Sequence, residues 1–328
     1  MSVRISSLSF TVLIGLVVFG ASNAQAEVRP SDVTLPTNEA GLGPGYGKRG
    51  IQFQLDLHSF FGSREEGVSK INELGVLPRL QIIQPVGRNE FEFSMSAAHY
   101  SVTTKTGGDE TKQGTFRLSN PAFTHFFTWR TLARQLRLGL GMTLPLARLR
   151  TDKPEQQATD LAALNAAAGI YGMRDRWLWR LDSMAAILHF DYLFRHRSGF
   201  MFGTRMVAAP SVRVGDSLNN TDADGQAVAD QDDFGVIGQA ELELAFDTKP
   251  VRIAVRAGYS IDALSDLSRD EKDQIMVEPE FRIRLGEVDL LLGMNLNIEK
   301  PAGFSFKDGN YWGARIGFAT PTRLMLPQ

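Results

Sequence analysis

Polar and apolar residues alternate one by one over long stretches of this chain. In "EPEFRIRLGEVDLLLG" (278–293), Glu278, Glu280, Arg282 and Arg284 take every second position. Pro279, Phe281, Ile283 and Leu285 take the positions between, and after "GEVD" the apolar beat resumes at Val288, Leu290 and Leu292. A period of two places the two sets on opposite faces of a β-strand. The same beat runs through "IQFQLDLH" (51–58), "EFEFSMSA" (90–97), "LRLGLGMTL" (136–144), "AILHFDYLF" (186–194), "GQAELELAF" (238–246), "VRIAVRAGY" (251–259) and "YWGARIGF" (311–318). With weaker runs near 76–86, 115–130 and 200–213, the pattern predicts about twelve strands of roughly 10–14 residues, against an ordinary mean of about 5–6.

The connections alternate as well. Those at 85–89, 131–135, 195–199, 247–251 and 286–289 are short. Those around 62–74, 104–114, 148–183, 215–233, 264–274 and 299–309 are long and polar. Short turns at one end and long loops at the other describe an antiparallel up-and-down meander. In a soluble sandwich or barrel the apolar face points inward. Three features favour the opposite sense. The strands suit a tilted bilayer crossing of about 9–11 residues. The apolar face is continuous and carries Phe, Trp and Tyr near strand ends, as an aromatic girdle requires. The other face mixes Gly139, Gly141, Ser94 and Ser96 with charges that a lumen can pair. No sheet edge survives in lipid, so the sheet must close. The fold class predicted is all-β: a transmembrane antiparallel β-barrel of about 12 strands, with short periplasmic turns, long outer loops and the charges inside.

Composition adds the compartment. "MSVRISSLSFTVLIGLVVFGASNAQAEV" has one early arginine, an apolar run from Leu8 to Phe19, and small residues before Ala26. This reads as a secretory signal (1–26) cleaved after Ala26. Residues 27–47 are rich in Pro and Gly and read as a lead-in or a small plug. Their "GYGKRG" matches G-x-G-x-x-G only formally, since no helix follows, and reads as a turn. The barrel is placed at 48–320, with a tail at 321–328. Without Arg4 the chain carries 34 basic and 37 acidic residues, a net charge of −3, which gives no reason to expect nucleic acid. There is no cysteine, so disulfides and thiol chemistry are excluded.

The whole mature chain resembles the Gram-negative outer-membrane β-barrel proteins, including porin-like and transporter-like members. The signal, the repeated alternation and the segment "LSNPAFTHFFTWRTLARQLRLGLGMTLPLA" (118–147) carry this resemblance. It implies an outer-membrane location, contact with lipid and lipopolysaccharide, delivery by the assembly machinery, and passage of a small solute. Such barrels usually end on an aromatic residue, whereas here Phe318 is followed by "ATPTRLMLPQ".

The inward charges are the leading candidates for function. Arg252 and Arg256, Glu278, Glu280, Arg282 and Arg284, Glu241 and Glu243, and Arg315 form ladders on the polar faces. They set ion selectivity if the lumen is open, or fill it with salt bridges if it is narrow. His189 and Asp191 share a face, as do Asp56 and His58, the minimum for acid–base work. No G-x-S-x-G accompanies them, so no catalytic residue is assigned. In "NNTDADGQAVADQDD" (219–233), Asn220, Asp222 and Asp224 have Ca²⁺-loop spacing, with Asp230 nearby. Gln231 stands where a bidentate carboxylate belongs, so a solvated acidic loop is the plainer reading, and no cofactor is otherwise expected. "PEQQATDLAALNAAAG" (154–169) reads as a helix in a long loop, lying either in the mouth as a lid or constriction or along the rim. Trp177 and Trp179 read as membrane-interface anchors. The function expected is a diffusion pore or small-solute transporter. The alternatives are a closed structural or partner-binding barrel and, more remotely, a hydrolase.

Overall fold

The structure, a computed structural model, describes residues 51–66, 69–86, 88–131, 133–149, 154–170, 175–215, 233–248, 250–264, 273–286, 288–298 and 312–321. Every alternating run becomes a strand. In chain order they are β1 (Gln52–Glu66), β2 (Ser69–Val86), β3 (Asn89–Thr106), β4 (Asp109–Leu118), β5 (Ala122–Arg130) and β6 (Arg134–Thr143). Then come helix α1 (Pro154–Ile170), a 3-10 turn (Arg176–Leu178), β7 (Ser183–Arg195), β8 (Phe200–Arg213) and β9 (Phe234–Thr248). β10 (Val251–Asp262), β11 (Asp273–Leu285), β12 (Val288–Asn297) and β13 (Trp312–Pro321) complete the chain.

Twelve of the strands close a ring. Each pairs antiparallel with its sequence neighbours, except that β3 passes to β5, and β13 returns to β1 with Leu57 opposite Ile316. β4 is the thirteenth strand. It pairs with the upper part of β3, while β5 pairs with the lower part. Between them Ser119, Asn120 and Pro121 stand opposite Met95 and Ser96, one residue too many, which is a β-bulge.

The faces follow the alternation. On β10, Arg252 is 1% exposed and its neighbour Ile253 56%. On β9, Glu243 is 0% exposed and Leu244 54%. In a water-soluble fold this inverts the burial rule. It is consistent for a closed sheet whose outer face meets hydrocarbon. The outer face is rich in Leu, Ile and Phe, and at the short-turn end it gathers Phe91, Phe127, Trp129, Phe200 and Phe246. His125 lies between Phe91 and Phe127, stacked on the first at 4.8 Å between ring centroids and edge-on to the second at 4.5 Å.

The five short connections join β2–β3, β5–β6, β7–β8, β9–β10 and β11–β12, as expected. Two of the loops expected at the opposite end are hairpins instead. β1 runs on to Glu66 and β2 begins at Ser69, and β3 reaches β4 through Gly107–Gly108, both at positive φ. Above the level of Phe60, where β13 ends its pairing, β1–β4 therefore continue as a four-stranded sheet beyond the ring. Both faces are largely polar there, so the period-two signal lapses although "SVTTKT" keeps its β-propensity. The expected loops at 215–233, 264–274 and 299–309 lie mostly outside the described residues, as do the signal and the lead-in.

Candidate functional site

The site is the lumen. At the short-turn end, Asp247 of β9 accepts hydrogen bonds from Arg195 at 3.1 Å and Arg284 at 2.7 Å. Arg284 thus leaves the predicted ladder for Asp247 at the short-turn end.

Above it, on the wall from β9 to β1, the other predicted charges meet. Arg252 bonds Glu243 and approaches Glu280 at 3.4 Å. Arg256 reaches Glu243 at 2.7 Å, Glu278 at 3.1 Å and Glu280 at 3.0 Å. Arg315 of β13 reaches Glu278 at 2.5 Å, Glu280 at 3.1 Å and Asp56 of β1 at 3.1 Å. That reach passes over β12 at Gly293, which lies between Glu280 and Arg315 in register. The absent side chain clears the way. Arg282 shares Glu280 at 3.4 Å and faces Asp289 at 3.9 Å. His58 lies beside this cluster, its Nδ1 3.2 Å from the Asn295 amide. Buried charges persist only when paired, and four guanidiniums against five carboxylates satisfy that condition.

Glu241 does not join them. It accepts a bond from Gln239 and lies opposite Arg205 in register, on a second network along the β3–β9 wall. The centre of that network is Arg137 of β6, which went unassigned in the sequence. Its guanidinium stands 3.3 Å from Glu90, 3.6 Å from Glu92 and 3.2 Å from Asp191, and 3.8 Å over the Phe126 ring. Phe126 can lie flat there because Gly139 has no side chain: a Cβ would come within 2.5 Å of the ring. Asp191 also takes Arg205 at 3.4 Å. Its expected partner His189 instead faces the rings of Phe126 and Trp177, at 5.2 and 6.3 Å between centroids. The acid–base pair is therefore divided between an ionic network and an aromatic one. Asn220, Asp222, Asp224 and Asp230 lie outside the described residues.

The upper lumen is filled from above. The connection between β6 and β7 folds inward as an insert, carrying α1 and the 3-10 turn. Trp177 and Trp179, expected at the membrane interface, are 3% and 4% exposed. They pack with Leu164, Ala167, Leu178 and Leu181 against Phe60, Tyr100, Ile187 and Ile237 of the wall. An amphipathic ring carries the same sequence signature in either setting, and the inward course of the insert decides between them.

The insert is tied to opposite sides. Around the ring, β2 and β9 stand six places apart, half of the circumference. Asp175 meets both: its carboxylate accepts from Arg79 of β2 at 2.7 Å, and its N–H donates to Gln239 of β9 at 3.0 Å. Arg180 spans similarly. Its carbonyl accepts from Asn120 at the bulge at 2.7 Å, and its guanidinium holds Asp262 of β10 at 3.2 Å. α1 crosses above. Asp160 takes bonds from Thr115 and Arg117 of β4, and the Gly169 carbonyl accepts from Asn297 of β12 at 2.9 Å. Of the two placements expected for this helix, the structure has the one in the mouth.

The comparison with solved structures follows from this architecture. The chain is similar to an outer membrane channel from Pseudomonas putida F1, at 12% identity and a TM-score of 0.51, over 90% of this chain and 99% of that one. The fold is that of an outer-membrane β-barrel. More distant likenesses are the translocator domain of the autotransporter NalP from Neisseria meningitidis (11% identity, TM-score 0.40, 84% and 90% of the two chains) and the Pseudomonas putida toluene transporter TodX (9%, 0.40, 84% and 91%). No protein-family model matches the sequence, and no curated protein sequence matches it.

Proposed function

We propose that the protein is an outer-membrane channel for small solutes, closed in the conformation described. The observation that carries this reading is that a separate segment, tied to opposite walls by Asp175 and Arg180, spans the lumen. Eight-stranded barrels are filled by their own wall side chains, and sixteen-stranded ones hold water. A ring of twelve has more interior than its walls fill, and an insert that occupies the rest implies a passage to be occupied. In this reading the apolar belt meets acyl chains and lipopolysaccharide, and the chain depends on the outer-membrane assembly machinery for insertion. The Arg/Glu network from β9 to β1 sets which ions pass.

The near-complete burial of Arg137, Arg252, Glu243 and Glu278 favours a second reading, a permanently filled structural barrel. Single-channel recording of the mature chain in a planar bilayer separates the two. A channel gives discrete steps, and Arg252→Glu, which turns one positive charge of the network negative, shifts its reversal potential in a salt gradient toward cation preference. A heat-modifiable, folded barrel that stays silent supports the filled one.

A further inference from the structure

We infer that residues 175–182 are a releasable bar that gates this lumen, locked by the two charge pairs Arg79–Asp175 and Arg180–Asp262. The inference rests on the channel reading above and adds how the channel opens.

Two observations point to release rather than permanent fixture, and a third says what would move. First, the bar is bracketed by Asp175 and Asp182, at φ 52° and 48°, the non-glycine residues with positive φ among those described. Left-handed backbone costs a non-glycine residue roughly 1–2 kcal/mol, less for Asp, and such residues collect at switches and clamps. They stand at the two ends of the bar, Asp182 directly before β7. Second, the bar's charged ties, Arg79–Asp175 and Arg180–Asp262, are polar, beside an apolar contact of Trp177, Leu178 and Trp179 with wall residues Phe60, Ile187 and Ile237. An ion pair buried in a dry lumen is strong, but its members regain hydration once water enters, so its net contribution is small in an open one. Polar ties of this kind hold a shut state firmly and do not penalise an open one. Third, the bar, α1 and the wall share a single apolar cluster, in which Ala163, Leu164 and Ala167 of α1 accompany Trp177, Leu178 and Trp179. In this inference α1 and the bar part from the wall together. Their pivot is Asn120, whose side chain accepts from Ala147 N–H at 2.8 Å and donates to the Trp177 carbonyl at 3.2 Å and the Arg180 carbonyl at 2.7 Å. One buried residue thus grips the insert where it leaves β6 and where it returns toward β7.

The absence of cysteine makes the test clean. Thr159 of α1 and Gln113 of β4 are in hydrogen-bond contact at 3.1 Å near the surface. Gln113→Cys with Thr159→Cys, bridged by a short reducible bis-thiosulfonate, tethers the insert to the wall without touching either lock pair. Single-channel current is recorded from the full mature chain before and after reduction. The gate predicts silence in the bridged form and discrete openings once the bridge is reduced. In a separate variant, Asp175→Asn with Asp262→Asn removes both charge pairs while keeping side-chain shape. It raises the open-to-closed ratio by about tenfold for each pair lost. Equal conductance of the bridged and reduced forms overturns the gate and leaves the channel standing. Silence of every form, from barrels that keep their heat-modifiable gel band, overturns both the gate and the channel. If the double Asn variant fails to fold, the bridged pair still decides.

Discussion

Arg137 holds together charges that lie far apart in the chain. Glu90, Glu92 and Asp191 converge on one guanidinium that is 1% exposed. Removing one partner of a buried ionic cluster costs far more than the cluster contributes, because the remaining charges stay desolvated and unpaired. Arg137→Ala is therefore expected to destabilise the barrel by about 3–5 kcal/mol. The drop is read as a lower urea midpoint for refolding into lipid vesicles, with Arg134→Ala, at the turn beyond the network, as the mild control. An unchanged midpoint would mean that water reaches the three carboxylates and that the lumen is wet at this level. The residue was hard to see in the sequence. Arg137 is recognisable as a polar-face residue, but its three partners come from β3 and β7, and nothing local in "RQLRLGLGMT" announces them. The Arg256 and Glu278 set was visible because β9, β10 and β11 are consecutive and their registers face directly. Legibility here follows sequence separation.

At the scale of elements, the wall and the insert differ in what encodes them. The strands are written in period-two alternation, and "EPEFRIRL" places Phe281 outside and Glu280 inside as its pattern requires. The helix is legible too, from Pro154 at its start and its Ala/Leu body, and it ends within a residue of the expected Gly169. Its position is not legible, because that depends on partners such as Thr115 and Asn297 on strands remote in sequence. Trp177 and Trp179 misled for the same reason. Asn120 is the element-scale joint between wall and insert. Asn120→Ala strips a buried acceptor from Ala147 N–H and a donor from two carbonyls, and each unsatisfied group costs about 1–3 kcal/mol. Because the ring pairings on either side of the bulge are untouched, the barrel is expected to remain folded while the insert loosens. Limited proteolysis of the refolded variant should cut between 144 and 182 at a protease dose that leaves the wild type whole. Cleavage no faster than wild type would show that the apolar cluster alone holds the insert.

For the whole molecule, the inverted burial is the decisive property, and it assigns an energy to each face. A closed ring of antiparallel strands satisfies its backbone internally, so only side chains decide what surrounds it. The exposed Leu, Ile and Phe of the outer face are stable in hydrocarbon and a liability in water. This makes the cost of a charge on that face depend on depth. Leu140 is 59% exposed and lies midway along the wall, opposite His125 and Leu188. Leu285 is 60% exposed but sits next to the Gly286 turn. A guanidinium at the bilayer midplane costs about 2–4 kcal/mol, and one near the interface about 0–1. Leu140→Arg should therefore lower the stability of the barrel in vesicles by about 2–4 kcal/mol, and Leu285→Arg by less than about 1, in urea titrations followed by tryptophan fluorescence. The two substitutions are chemically identical and equally exposed, so water cannot tell them apart and only a hydrocarbon slab can. Equal costs at the two depths would remove the bilayer from the outer face.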